Sequence, residues 1–578
     1  MQAARRLYLY VLSGITLAVV AWGLVLLLRV VLDGIFPPTD GGGFGGYNGS
    51  REQLSQAIAM LGVGTPVWAV HWWLVQRGLR VGRPERDAER GSDLRAFYVT
   101  GVLLVSLVVW VTSAVNLLLW IGSNGLHIVP EYTYADPLGS ATAGLTAFVI
   151  WLYHGVVRRR DLAAGPVAGA AAFVPRLYLY GVSLAGLLVA LYALEGVIVD
   201  VLVGAPPDNK TTYYWYSLMQ HVVTGIGWGL VWLGHWMYTT RLAADPGWRG
   251  VDERISRTRA SAFVAVIVIA AASTLGEVIN ALRAVIGPFF PEASGLTGGF
   301  VAIDVVRPLV AAVPWAVVWF AHTRAFRREP AAVDPMRSLH QERLVSYGVA
   351  ATALAMGAGG AGGLLGYLLG LVLGSPPSVD GYEPAAGWAL VQWLPVAVVG
   401  LPAWAWFWRP VLARRRRDPM GEAASTIRRT SLYLTIGVAL VIAISITALI
   451  LYRFVNLVLG ASSDGNLGAE LAMPLGALIV AVAVLAYHGI ALRSDQALVV
   501  SAAAAPPADA GAQADAAVPA DAAAPPDRGG APVVATAAPA HARRAFALVG
   551  PDGADLDAAV AAARAALPPG IEIVAVDD

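Results

Sequence analysis

Apolar positions along this chain do not alternate with polar ones. They run together in stretches of about twenty or more, enough for a helix to cross roughly 30 Å of hydrocarbon at about 1.5 Å per residue. Two kinds of stretch take turns. The first opens on arginine and an aromatic: RRLYLYVLSG from Arg5, LRAFYVTGVL from Leu94, PRLYLYGVSL from Pro175, RTRASAFVAV from Arg257, ERLVSYGVAA from Glu342 and RRTSLYLTIG from Arg428. The second closes on an aromatic, a histidine and arginine: VWAVHWWLVQR, FVIWLYHGVVRRR, GLVWLGHWMYTTR, VVWFAHTRAFRR, PAWAWFWRPVLARRRR and VAVLAYHGIALR. Such self-similarity marks a repeat. The pattern predicts an all-α polytopic membrane protein of about twelve spans, built as six parallel two-helix repeats at 1–80, 93–161, 174–245, 255–328, 341–417 and 426–495.

The pattern stops near Leu498. Residues 499–542 form an Ala/Pro-rich tract without an apolar face, expected to act as a cytoplasmic tether. The remaining 543–578 read as a small β-α-β-like element: strand 546–549, a PDG turn, helix 556–567 and strand 571–576. So short a piece buries too little to stand alone, which leaves two expectations for this tail, a cytoplasmic protein partner or a weakly ordered end.

Charge gives the spans a direction. The stretches joining one repeat to the next, 77–95, 158–176, 241–259, 324–343 and 409–429, hold 27 arginines. Loops inside the repeats instead carry acids such as Asp33, Glu131, Asp208, Asp380 and Asp464, with Arg51 and Lys210 as exceptions. Short cytoplasmic loops are enriched in arginine and lysine, so all repeats point the same way and both termini are expected in the cytoplasm, in a plasma (inner) membrane. The run 7–28 is too long for the core of a secretory signal and is expected to remain as a span. Of 578 residues, 57% are apolar and 14% charged, making the lipid bilayer the main partner. A net charge of +1 argues against nucleic acid. The absence of cysteine excludes disulfides and thiolate chemistry.

Candidate chemistry is sparse. Trp68/His71, Trp151/His154, Trp232/His235 and Trp319/His322 repeat a Trp-x-x-His spacing that puts both rings on one helix face, and His488 keeps the histidine of the sixth repeat. All five lie within a few turns of arginine, which favours interfacial anchoring; haem or pigment ligation is the second reading, and no cofactor is assigned. Glu195 and Glu277, in LEGVI and LGEVI, occupy nearly matching places in the third and fourth repeats. Intramembrane acids often mark a pathway, so these two, with Asp304 and Arg307, are candidates for a polar cavity; Asp304 and Arg307, three apart, are expected to pair with each other. The glycine-dense AMGAGGAGGLLGYLLG at 355–370 reads first as close helix packing. No catalytic motif and no metal-ligand set stands out. The leading expectation is a structural, assembly or partner-binding membrane protein, with a transporter or channel as the alternative.

The repeating RxLYxY opening, with TPVWAVHWWLVQR closing the pair, resembles an integral-membrane family of bacteria known as domain of unknown function 5671, over nearly all of residues 4–495. The resemblance implies a polytopic membrane protein and carries no activity, substrate or site residue with it.

Overall fold

The computed structural model describes residues 2–36, 47–80, 86–129, 136–163, 165, 167–204, 211–290, 302–328, 335–373, 387–459 and 467–504. Among them all regular structure is helical. Six hairpins form from α1 (Gln2–Ile35) with α2 (Tyr47–Gly78), α4 (Asp93–Gly125) with α5 (Pro137–Ala163), α6 (Ala170–Val203) with α7 (Thr211–Ala243), α9 (Arg257–Ile286) with α10 (Ala302–Arg328), α11 (Pro335–Val372) with α12 (Trp388–Arg417), and α14 (Thr426–Val458) with α15 (Leu467–Ala504). Three short helices, α3 (Arg86–Arg90), α8 (Trp248–Arg254) and α13 (Pro419–Ala423), sit where the first hairpin meets the second, the third the fourth, and the fifth the sixth.

Eleven of the long helices are apolar enough to cross a membrane. In lipid every backbone polar group must be satisfied within its own segment, and continuous apolar runs meet that demand as helices. The expected twelfth span, α7, has 33 residues but is not among the eleven. Its opening TTYYWYSLMQH and later His235 dilute its apolar character. The expected tether at 499 also starts later, because α15 continues to Ala504; the alanines there are the strongest helix formers. The chain divides into Met1–Ala505 and Pro506–Asp578. The expected β-α-β element at 543–578 lies outside the described residues.

Packing passes along the sequence. The first helix of each hairpin lies on both helices of the next: α1 on α4 and α5, α4 on α6 and α7, α6 on α9 and α10, α9 on α11 and α12, and α11 on α14 and α15. No packing of comparable extent joins the first hairpin to the sixth among the described residues, so the hairpins form an open row. Apolar cores fill the seams, one of them gathering Tyr10, Val75, Leu107, Val157 and Tyr178 from three hairpins.

The glycine-dense stretch explains the tightest seam. On one side of α11, Gly357 and Gly360 meet α12, where a Cβ on Gly400 would lie 2.6 Å from the Gly357 Cα and one on Gly360 would lie 2.8 Å from the Ala397 Cα. On the other side, Gly362 and Gly366 meet α15, where a Cβ on Gly476 would lie 2.6 Å from the Gly362 carbonyl oxygen. Without side chains the backbones themselves touch, the packing that drives association where lipid removes the hydrophobic advantage.

Candidate functional site

Taken two at a time from the first, the hairpins share a buried polar cluster at the arginine-rich end of each pair. In the first, Arg6 Nε donates to Glu89 Oε2 at 2.7 Å and the Tyr10 hydroxyl donates to Glu89 Oε1 at 2.6 Å. Arg95 clasps Asp161 through Nε at 2.8 Å and Nη2 at 3.0 Å, and its Nη1 reaches the Tyr10 oxygen at 3.5 Å. The third pair repeats this arrangement: Arg343 Nε to Glu422 at 2.9 Å, Tyr347 hydroxyl to Glu422 at 2.9 Å, Arg428 Nη1 to Tyr347 at 3.1 Å and Arg428 Nε to Asp495 at 2.5 Å. In the middle pair Arg176 Nε meets Glu253 at 3.0 Å, Tyr180 donates to Glu253, and Arg259 Nη1 donates to Tyr180 at 2.8 Å. The position matching Asp161 and Asp495, seven residues after the histidine, is Glu329, outside the described residues.

Each tyrosine thus gives its proton to a glutamate and accepts from an arginine. The chain of bonds ties the first helix, the short linker helix and the third helix together, and in the outer pairs the fourth as well. Sequence reading counted these arginines only as a sidedness signal and passed over Glu89, Glu253, Glu422, Asp161 and Asp495. A signal was present: Arg-x-x-x-Tyr at 6–10, 176–180 and 343–347, and Glu-x-x-Ser-x-x-Arg at 89–95, 253–259 and 422–428. Ser256 accepts from the Arg259 backbone N–H at the start of α9 and so places that arginine in the first turn, whereas Ser92 makes no such side-chain bond at the start of α4.

Above the clusters lie the histidines. His71, His154, His235, His322 and His488 each place Nδ1 2.7–2.9 Å from the carbonyl four residues back. A carbonyl only accepts, so Nδ1 carries the proton and Nε2 the lone pair. Interfacial anchoring requires rings at the helix surface, and three do not comply: His154, His322 and His488 are 1%, 5% and 2% exposed. They are the fourth-helix histidines, turned into the centre of each pair. His154 is enclosed by Trp72, Tyr98 and Tyr153 at 5.1–5.8 Å between centroids, and His322 by Trp236 at 4.9 Å. Beside His488 a cavity of about 20 Å³ has room for one water and none for a macrocycle. His71, partly exposed, faces Tyr8 with Nε2 3.1 Å from the hydroxyl.

Aromatic hydrogen bonds brace this layer: Trp72 Nε1 donates to Tyr153 at 2.5 Å and Trp408 Nε1 to Tyr487 at 2.8 Å. Tyr487→Phe strands the buried Trp408 donor and is expected to cost about 1–3 kcal/mol in unfolding free energy. Tyr433→Phe, at an exposed hydroxyl that accepts from Gln496, should change little in the same thermal denaturation.

At the opposite end, Glu195 of α6 and Glu277 of α9 line one cavity of about 340 Å³ with Tyr192, Asn280, Arg283 and Trp315. Glu195 stands 19 residues from Arg176, or about 28 Å of helix, nearly a hydrocarbon thickness from the charge cluster. Asp304 and Arg307, also expected in this cavity, are not among its lining residues, and no ion pair joins them among the described residues. Asp304 sits in the first turn of α10, where the helix dipole favours an acid, while Arg307 is exposed and acts electrostatically on Glu277. His221 holds Asp200 at 2.9 Å, in the space left by Gly196.

No curated protein matches the chain, and no solved structure matches it. A family model matches three times, over residues 6–153, 176–320 and 343–483. Each match starts on the first arginine of a charge cluster and spans four long helices, so the repeat is a pair of hairpins and the row consists of three such units. By sequence, over these three stretches, the chain belongs to the family described as domain of unknown function (DUF5671).

Proposed function

We propose that the chain is a structural or assembly protein of the plasma membrane, with twelve spans, both ends in the cytoplasm, and a C-terminal tail that engages a protein partner. The open row carries this reading. Among the described residues the hairpins pack in series, an arrangement that leaves no central passage, whereas a row of three clamped units offers long flanks to lipid and to other proteins. Arginine placement supports the orientation, and the packing of α7 on α6 supports taking it as the twelfth span beside the eleven helices apolar enough to cross. The cavity at Glu195 and Glu277 favours the transport alternative.

Two measurements on the full chain separate these. Vesicles containing it should pass protons and potassium no faster than protein-free vesicles. A photocrosslinker placed within 543–578 should give a discrete adduct in cells. A flux removed by Glu195→Gln with Glu277→Gln would replace the scaffold with a transporter, and absence of any adduct would remove the partner.

A further inference from the structure

The cavity between α6, α9 and α10 holds acids that its own walls do not neutralise. Glu195 has no ion-pair partner among the described residues, and Glu277 receives one long hydrogen bond, 3.5 Å from Asn280 Nδ2. The one guanidinium in the lining does not serve them: Arg283 donates to Asn280 Oδ1 at 3.4 Å and to the Gln392 carbonyl at 3.2 Å. Its Nε is buried without an acceptor. Two carboxylates therefore face one space, with a spare N–H donor on the same wall.

The rest of the wall suits an organic group. Trp315 is 1% exposed and meets Tyr192 edge to face at 5.3 Å, giving an aromatic boundary that attracts cations as well as alkyl chains. The volume, about 340 Å³, falls within the roughly 300–1,000 Å³ of small-molecule sites. A bare metal ion would leave most of it empty, and no group of three metal-ligating side chains occurs among the described residues.

We propose that this cavity binds a small organic cation, an amine or guanidine, that also carries an oxygen acceptor: the positive groups lie against Glu195 and Glu277, the acceptor against Arg283, and the alkyl part against Trp315. The site is independent of the scaffold reading, since a scaffold and a transporter can each hold such a ligand.

Lysine and cadaverine are the probes, titrated calorimetrically into the full chain in nanodiscs, with sodium and magnesium chloride as inorganic controls. Saturable binding of lysine is expected, weakened at least about tenfold by Glu195→Gln or Glu277→Gln. Cadaverine, which is lysine without the carboxylate, should bind more weakly, and Arg283→Gln should erase that difference. Because the chain has no cysteine, Ser273→Cys puts a single thiol in the wall, and lysine should slow its maleimide labelling even if the glutamate variants fail to fold. No saturable binding of either probe, undiminished binding to the double glutamine variant, or labelling indifferent to lysine overturns the proposal. Equal occupancy by sodium or magnesium does so too.

Discussion

Glu422→Ala is expected to destabilise the third four-helix unit by about 3–5 kcal/mol, the usual penalty for breaking a buried ion pair by removing one partner. Glu422 is 1% exposed and takes bonds from Arg343 and Tyr347, with Arg414 3.8 Å away; Arg343 and Arg428 are 5% and 3% exposed. Without the carboxylate, Arg343 loses its acid and the Tyr347 hydroxyl loses its acceptor. Arg428 keeps Asp495, so the damage centres on the joint between α11 and α13. Hydrogen exchange resolved by peptide reads this locally, helix by helix. Faster exchange should appear in α11, α13 and the start of α14 and stay absent from α1 to α5. The matching Glu89→Ala should cost less, since the Arg6 and Glu89 side chains are 22% and 13% exposed and water takes over part of the lost interaction. Equal, small effects at both sites would mean the clusters do not clamp their units.

Gly476→Ala should be nearly as damaging, by overpacking. The new methyl would meet backbone on α11, with the Gly362 carbonyl oxygen at 2.6 Å, and backbone cannot rotate aside as a side chain does. Forcing an atom into a filled seam costs about 1–3 kcal/mol, and here α15 must move away from α11. Gly359 is the control on the same stretch: a Cβ there meets nothing within 4 Å. Gly359→Ala should be neutral or stabilising by up to about 1 kcal/mol, through helix propensity alone. Thermal denaturation in one detergent compares the two directly. Similar melting temperatures would show that the glycines are not needed for contact.

Sequence alone determined the helices, their hairpin pairing and their family, because a continuous apolar run with arginine at its ends leaves few other solutions in lipid. It also put Glu195 and Glu277 at matching depth. Tertiary structure decided the rest. Depth along a helix does not say which way a ring turns, so the five histidines looked alike until burial separated His154, His322 and His488 from His71. Residues three apart on a helix can pair but need not, and among the described residues no ion pair joins Asp304 to Arg307. Six similar openings were legible one by one, but the bond from Arg6 to Glu89 spans 83 residues, so comparing single hairpins did not show that they share charge clusters two by two. Local pattern fixes what each segment is; only folding shows which distant charge it was placed to meet.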